Sequence, residues 1–172
     1  MRILYRTRQV WHTLNSFPAA EELARVRRTL TPPLMSLFGR MHASEQAHSL
    51  RVFNRLLAQG EKDVDLLVAA LLHDVGKSRH PLRLYERVMV VLAKSLFPGW
   101  VKRWGRGDPV GWQRPFVIAE QHPAWGAEMA AQAGASPRAA SFICRHQESL
   151  AGDAVTYEDQ LLRRLQLLDD ES

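Results

Sequence analysis

Apolar residues recur at intervals of three and four through most of this chain, and almost no stretch alternates apolar and polar residues as a half-buried strand does. The segment 43–59 is typical of the pattern. Its residues Leu50, Phe53 and Leu57 fall on one face of a helix, and Gly60 ends the run. This periodicity predicts an all-α fold, a single-domain helical bundle.

Helix start and stop signals divide the rest of the chain. Ser16 is a capping candidate for a first helix that opens at Pro18, and Thr31 precedes two prolines that start a second one. Either Asp63 or Asp65 can cap the apolar helix that ends near residue 73. Residues 98–115 are expected to form the one long irregular segment. The remaining predicted helices cover residues 18–29, 81–97, 123–133, 137–147 and 157–170.

The chain has 172 residues, of which 46% are apolar and 24% are charged, and this suits one soluble domain with a full-sized core. Its one cysteine, Cys144, excludes an internal disulfide. The first residues include Arg2, Arg6 and Arg8 rather than the apolar core of a signal peptide. The sequence has no uninterrupted stretch of about 18 apolar residues, which is the length that a membrane-spanning helix needs. We therefore expect a cytoplasmic protein.

The net charge of +5 is unevenly distributed, because residues 77–114 contain nine basic residues and two acidic ones. One interpretation is a solvated basic face in a chain that uses 19 arginines and 4 lysines. The other is attraction of an anionic substrate, a membrane surface or a nucleic acid. No motif in the sequence adds a strong nucleic-acid signal.

The most informative segment is 66–77, where a strongly apolar helix ends on His73 and Asp74 and is then broken by Gly76. Apolar helices rarely end in this way by chance. A carboxylate at the end of the otherwise apolar helix that leads to Asp169 is also hard to explain unless a cation meets it. Further residues of metal-ligand type lie in apolar helical stretches in the same way, namely His48, His122, His146 and Asp169. This order indicates a metal site gathered from the ends of several helices in a bundle core.

Local backbone geometry adds detail to the roles expected for the His73-Asp74 pair and for His122. Neighbouring side chains on a helix diverge by about 100°, so His73 can face one ion while the Asp74 carboxylate bridges to a second. His122 precedes Pro123, and a residue before proline disfavours the α conformation. We therefore expect His122 at the mouth of a helix that starts at Pro123.

One choice in the pattern stays open, that of the last ligand. Asp169 is favoured as the last ligand because it directly follows an apolar run, and Asp170 is the alternative. Of the seven histidines, His12, His42 and His80 have no part in the pattern. A lone histidine on a helix is more often a hydrogen-bonded structural residue than a ligand, so only the combination carries the interpretation.

The order His, His-Asp, Asp resembles that of the HD-domain superfamily of metal-dependent phosphohydrolases, over roughly residues 43–170. Members with two further histidines between the His-Asp pair and the final Asp bind two metal ions, and this chain has both histidines. The resemblance implies an HD-type helical bundle in residues 43–172, with the metal site in its core. Residues 1–42 would be an N-terminal helical extension packed on that bundle.

Carried over to this chain, the resemblance implies a dinuclear centre. The first ion would be held by His48, His73, Asp74 and Asp169, and the second by Asp74, His122 and His146. These ligands suit divalent transition metals, and we expect iron or manganese, with zinc and nickel as alternatives. Two such ions about 3.5–4 Å apart activate water and neutralise phosphoryl charge. The expected activity is hydrolysis of a phosphomonoester or phosphodiester, and a nucleotide-like substrate is one option.

The candidate catalytic residues are Asp74, as the bridge, and Lys77, which follows His73 by one turn and is expected to contact a phosphate oxygen of the substrate. The alternative for Lys77 is a solvated lysine at a helix end. Arg79 and Arg145 could add to the substrate-binding pocket.

Within the superfamily, the segments HDVGK at 73–77 and HPAWGAEM at 122–129 are similar to the HD-GYP type, but the GYP signature is absent after His146. This departure counts against a cyclic dinucleotide phosphodiesterase. Two alternatives from other classes remain. A di-iron oxygenase of the inositol-oxygenase type uses the same six ligands, and a noncatalytic HD signalling domain is disfavoured because none of the six is missing.

Residues 87–106 interleave apolar and aromatic residues with lysine and arginine. Such a stretch could contact a membrane peripherally, on an anionic surface. The favoured interpretation is a core helix over residues 88–97, followed by Trp100, Trp104 and Trp112 as a lid over the metal site. A lid would exclude water and so strengthen electrostatic stabilisation in the site.

Overall fold

The structure is a computed structural model that describes residues 20–150 and 156–171. Every regular element in these residues is helical, which confirms the all-α prediction. In chain order the helices are α1 (Ala20–Thr29), α2 (Pro32–Arg40), α3 (Ala43–Ala58), α4 (Val64–Leu72), α5 (Leu84–Leu96), α6 (Pro98–Trp104), α7 (Arg114–Gln132), α8 (Pro137–Arg145) and α9 (Tyr157–Asp170). Short 3₁₀ segments at Val75–Arg79 and Gly111–Gln113 precede α5 and α7.

Helix α4 lies at the centre of the main hydrophobic core. All of its residues from Leu66 to Leu72 are buried, and a helix that is apolar on every side must be covered on every side. Helices α3, α8 and α9 pack around it. Helices α1 and α2 add Val26 and Phe38 to the same core.

The helix starts follow local sequence signals in part. Asp63 caps α4, because its Oδ1 accepts a hydrogen bond of 3.0 Å from the backbone amide three residues later. Asp65 instead accepts a hydrogen bond from the serine at the start of α8. Thr31 makes no side-chain cap bond, and the prolines after it start α2. The predicted signals at Ser16 and Pro18 lie outside the described residues.

Three predicted boundaries are wrong. Pro123 does not start a helix but lies inside the continuous helix α7. The segment 98–115 is not irregular throughout, since it contains α6 and a 3₁₀ turn. A proline at the first turn costs a helix no hydrogen bond, so the proline that suggested a loop at residue 98 instead opens α6. The helix expected over 81–97 begins only at Leu84.

A second, smaller hydrophobic cluster joins α5 and α6 to the first half of α7. Its buried members are Val90, Ala93, Val101, Phe116 and Ala119. Residues 88–97 were predicted to form a core helix. The segment is helical, but its predicted position in the core is wrong, because most of α5 faces solvent and Val91 and Leu92 are 67% and 55% exposed. Among the described helices, none combines the length and the hydropathy that a membrane-spanning helix needs.

Two buried glutamates tie α5 to the rest of the bundle. Glu45 of α3 accepts a hydrogen bond of 2.8 Å from the Arg87 guanidinium of α5. Glu86 of α5 pairs with Arg114 of α7 at 2.5 Å. The inward side of α5 is therefore partly ionic, whereas that of α4 is wholly apolar.

Candidate metal centre

The site is built around the turn that follows α4. His73 still has helical backbone angles, φ −55° and ψ −34°, whereas Asp74 has φ −94° and ψ 0° and starts the 3₁₀ segment. Both side chains are buried. An imidazole and a carboxylate side by side in the interior need partners, because an unpaired buried charge is costly.

Two glycines let the 3₁₀ segment lie directly against α7. A Cβ atom on Gly76 would come within 2.0 Å of the His122 carbonyl oxygen and 2.7 Å of the Gly126 amide nitrogen. Both of these atoms belong to the backbone, so no side-chain movement could make room. A Cβ atom on Gly126 would likewise lie 3.1 Å from the Gly76 amide nitrogen. This close approach brings Asp74 within reach of His122.

The six predicted ligands come together as two groups of three. In the first group, ligand atoms of His48, His73 and Asp169 lie within 4.8 Å of one another. Asp169 Oδ1 is 2.6 Å from His48 Nε2 and 3.3 Å from His73 Nε2. The alternative carboxylate, Asp170, is exposed and belongs to neither group.

The second group consists of Asp74, His122 and His146, all of them buried. Asp74 lies between the two groups. Its Oδ1 is 3.3 Å from His122 Nε2, and its Oδ2 is 3.8 Å from His73 Nε2. Because its two oxygens face histidines of different groups, Asp74 is the carboxylate that can bridge two ions.

Backbone carbonyls orient the three buried histidines. The Nδ1 atoms of His73 and His146 lie 3.0 Å and 2.7 Å from carbonyl oxygens of the preceding turn, and that of His122 makes similar contacts. A carbonyl only accepts, so each Nδ1 carries a proton, and a ring in its neutral form keeps its lone pair on Nε2. All three Nε2 atoms are buried without a hydrogen-bond partner. A metal ion would satisfy these atoms, and this is the usual way that proteins orient histidine ligands.

Pro123 has a specific role in that orientation. Proline has no amide hydrogen, so the carbonyl of Ala119, four residues earlier, loses its helical partner. His122 Nδ1 lies 3.1 Å from this oxygen and 3.0 Å from the carbonyl oxygen of Ile118. The imidazole thus fills the gap that the proline makes, and α7 continues through His122 where we expected it to start.

The charges in the site are strongly coupled. Burial lowers the pKa of His146 to about 3, with help from His73 and His122, so this ring is neutral at physiological pH. Burial also lowers the pKa of His122. Burial acts against the charge on His73 and Asp74 as well, but neighbouring charges outweigh it. The pKa of His73 is raised by Asp74 and Asp169, and that of Asp74 is held well below its ordinary value by Lys77 and His73.

The predicted substrate-binding residues differ in their surroundings. Lys77 Nζ lies 2.7 Å from both carboxylate oxygens of Asp74, at the edge of the ligand groups. Arg79 is exposed, where it stacks on Trp125 and approaches a glutamate of α7. Arg145 pairs with Glu148 and Asp159, at 2.7 Å and 2.8 Å.

The histidines outside the pattern have structural surroundings. His42 caps α3 and accepts a hydrogen bond from the Ser44 amide. The ring of His80 packs against Trp125, with centroids 5.2 Å apart. His12 lies outside the described residues.

A cleft of about 1030 Å³ opens beside the two ligand groups, and His146 and Asp169 are part of its wall. Lys94 of α5 and Lys102 of α6 line it as well, and both are exposed. The tryptophans expected to form a lid are not among its lining residues. They pack on one another and on Phe116, at centroid distances of 5.1–6.2 Å.

The family model described as the HD domain matches residues 46–171, well over half of the chain. The chain belongs to the HD-domain family. Members of this family are mostly metal-dependent hydrolases and bind divalent metals. No curated protein and no solved structure matches the chain.

Two features of the site in this HD domain were not predicted from the sequence. The backbone contact between Gly76 and Gly126 joins the two segments HDVGK and HPAWG, and their glycines were the available hint. Lys94 and Lys102 belong to the basic segment 77–114, but only the packing of α5 and α6 shows that they line the cleft.

Proposed function

We propose that this HD domain is a phosphohydrolase with a dinuclear metal centre, and that it cleaves a phosphomonoester or phosphodiester. One observation carries the proposal. Three buried histidines direct unpartnered Nε2 atoms toward two carboxylates, and Asp74 has one oxygen toward each ligand group. Neutral imidazoles and carboxylates at such positions are the ligands of iron, manganese, zinc or nickel.

Bound divalent ions would activate water for attack on phosphorus and neutralise charge on the phosphoryl group. The first ion would be held by His48, His73, Asp74 and Asp169, and the second by Asp74, His122 and His146. The chain itself supplies a buried, rigid frame, because the backbone carbonyls fix the three buried rings before any ion binds.

Substrate binding is the task proposed for the basic residues around the centre. Lys77 is positioned by Asp74, so its ammonium lies where a phosphoryl oxygen at the metal ions could meet it. Lys94 and Lys102 line the cleft and can attract the rest of an anionic substrate. Arg145 is less suited to direct contact, because two carboxylates already engage its guanidinium.

Metal analysis tests the dinuclear centre. The 172-residue chain, purified anaerobically with iron or manganese, should contain two ions per chain. Asp74→Ala removes the bridge and should lose both, whereas His122→Ala should retain the first. Asp169→Ala should empty the first site, and the matched control Asp170→Ala should keep both ions. A content of at most one ion in the unmodified protein contradicts the dinuclear centre.

A panel of phosphoesters tests the reaction itself. The metal-loaded protein should release phosphate or a phosphomonoester from at least one substrate, and Asp74→Ala should abolish turnover. Lys77→Ala should mainly raise KM, by a loss of about 1.5–3 kcal/mol of binding. Unchanged kcat and KM in Lys77→Ala would remove its assigned role. Oxygen uptake by the iron form without phosphoester cleavage would favour the di-iron oxygenase over the hydrolase.

A further inference from the structure

Helix α5 presents an apolar face to solvent. Successive residues of an α-helix advance by about 100°, so one side of α5 carries residues three and four positions apart. We call these residues the outer face of α5: Leu84, Val88, Val91, Leu92 and Leu96. They are 50–79% exposed, and the buried residues of the helix lie opposite. This is the reverse of an ordinary surface helix, which turns its apolar stripe inward.

The apolar surface does not end with α5. Phe97 and Trp100 follow in the chain and are 51% and 52% exposed, and Trp112 is 60% exposed. Trp100 stacks near Trp104, which is anchored on the second hydrophobic cluster. Scattered exposed apolar side chains need no explanation, but a contiguous stripe on a helix usually marks an interaction surface.

The segment that carries this apolar surface is strongly basic, and the Arg103 guanidinium lies 5.6 Å from the Trp100 ring. Residues 77–114 contain two acidic residues, and one of them, Glu86, is buried against Arg114. Lys94, Lys102 and Arg103 are exposed on α5 and α6. A partner that covers the outer face therefore has to offer apolar contact and negative charge together.

The charges decide between the available partners. A second copy of the chain would bring two strongly basic segments face to face, and like charges across an interface are repulsive. Residues 1–19 have three arginines and no acidic residue, so they are an equally poor match. An anionic lipid surface supplies acyl chains for leucine, valine and tryptophan and headgroup charge for lysine and arginine.

We propose that the outer face of α5, together with Trp100 and the basic residues of α6, binds the surface of an anionic lipid bilayer. The helix would lie along the surface rather than cross it. Lys94 and Lys102 line the cleft beside the candidate metal centre as well, so binding places the mouth of that cleft next to the lipid headgroups. The proposal does not depend on the reaction that the centre catalyses.

Vesicle co-sedimentation of the full chain tests the apolar part of the surface. Vesicles of phosphatidylcholine mixed with phosphatidylglycerol should bind the protein, and pure phosphatidylcholine vesicles should bind it at least about tenfold more weakly. Val91→Gln/Leu92→Gln should reduce binding by at least about tenfold, since two apolar anchors are lost. The control Val64→Gln/Leu167→Gln changes one valine and one leucine of similar exposure, 63% and 56%, and should bind normally.

A second pair of variants tests the charge. Arg103→Gln/Arg106→Gln should weaken binding about fivefold for each charge removed, and added salt should weaken binding of the unmodified protein. Arg27→Gln/Arg40→Gln removes two exposed arginines from α1 and α2 and should have no effect. Circular dichroism and metal content, measured for every variant, show whether the fold is retained.

Several results would overturn the proposal. One is equal binding, or no binding, to neutral and anionic vesicles. Another is an unchanged affinity in folded Val91→Gln/Leu92→Gln. A concentration-dependent dimer without vesicles that this variant converts to a monomer would assign the outer face to a second copy of the chain instead.

Discussion

Helices α4 and α5 are both rich in leucine and valine, yet α4 is buried from Leu66 to Leu72, whereas α5 turns most of its leucines and valines outward. The inward contacts of α5 include two ion pairs, through Glu86 and Arg87. Apolar content alone therefore does not say where a helix lies. The burial of α4 places the candidate metal ligands at its end in an interior that excludes water. The exposure of α5 leaves an apolar surface that is free to bind a partner.

One leucine from each helix shows the difference in burial most clearly. Leu71 of α4 is fully buried, and Leu92 of α5 is 55% exposed. Leu71→Ala should lower the free energy of unfolding by about 2–5 kcal/mol, because it leaves a cavity. Leu92→Ala should change it by less than about 0.5 kcal/mol, because water already covers the site. Urea denaturation measures both, and equal losses would mean that α5 is covered in the folded chain.

The packing around the centre should be less tolerant than its surroundings. Gly76→Ala places a Cβ atom against backbone of α7, so it should cost about 1–3 kcal/mol and reduce metal content, since Asp74 and His122 move apart. Gly39→Ala lies in α2 with open space around it and should be neutral or stabilising by up to about 1 kcal/mol. Metal retention by a stable Gly76→Ala protein would show that the close contact is not needed.

The buried histidines should give the metal-free protein a distinctive pH dependence. The pKa of His146 is about 3 in the folded state against an ordinary value of 6.5, so the unfolded chain takes up the proton first as the pH falls. This residue therefore lowers stability as the pH drops through 6.5 towards 3. His73 acts in the opposite direction, because its pKa is raised. The difference between variant and unmodified protein isolates the contribution of His146.

Between about pH 7.5 and about pH 5.5, His146→Asn should lose roughly 1 kcal/mol less stability than the unmodified metal-free protein. Thermal unfolding at the two pH values measures this difference. His42→Asn is the control, since His42 is exposed and asparagine retains its capping role. An identical pH response in His146→Asn would show that the ring is not held neutral in the interior.

The sequence could predict the all-α fold and the family because both depend on periodicity and on the order of a few residue types. The position of Pro123 could not be predicted from local rules. The preference of the residue before proline is a local term, and it is outweighed when His122 supplies the hydrogen bond that the proline removes. Likewise, the apolar composition of α5 predicts a buried helix. Only the ion pairs of Glu86 and Arg87 show which side of the helix faces inward.

The lack of a backbone hydrogen bond at Pro123 of α7 restricts rotation of the His122 ring. A flip of the His122 imidazole about its χ2 torsion would take Nδ1 away from the Ala119 carbonyl, which has no amide four residues later to replace it. The proline thus makes ring rotation costly. Little rotational entropy then remains to be lost when Nε2 acquires a ligand, and an uninterrupted helix with alanine at this position would lack that advantage.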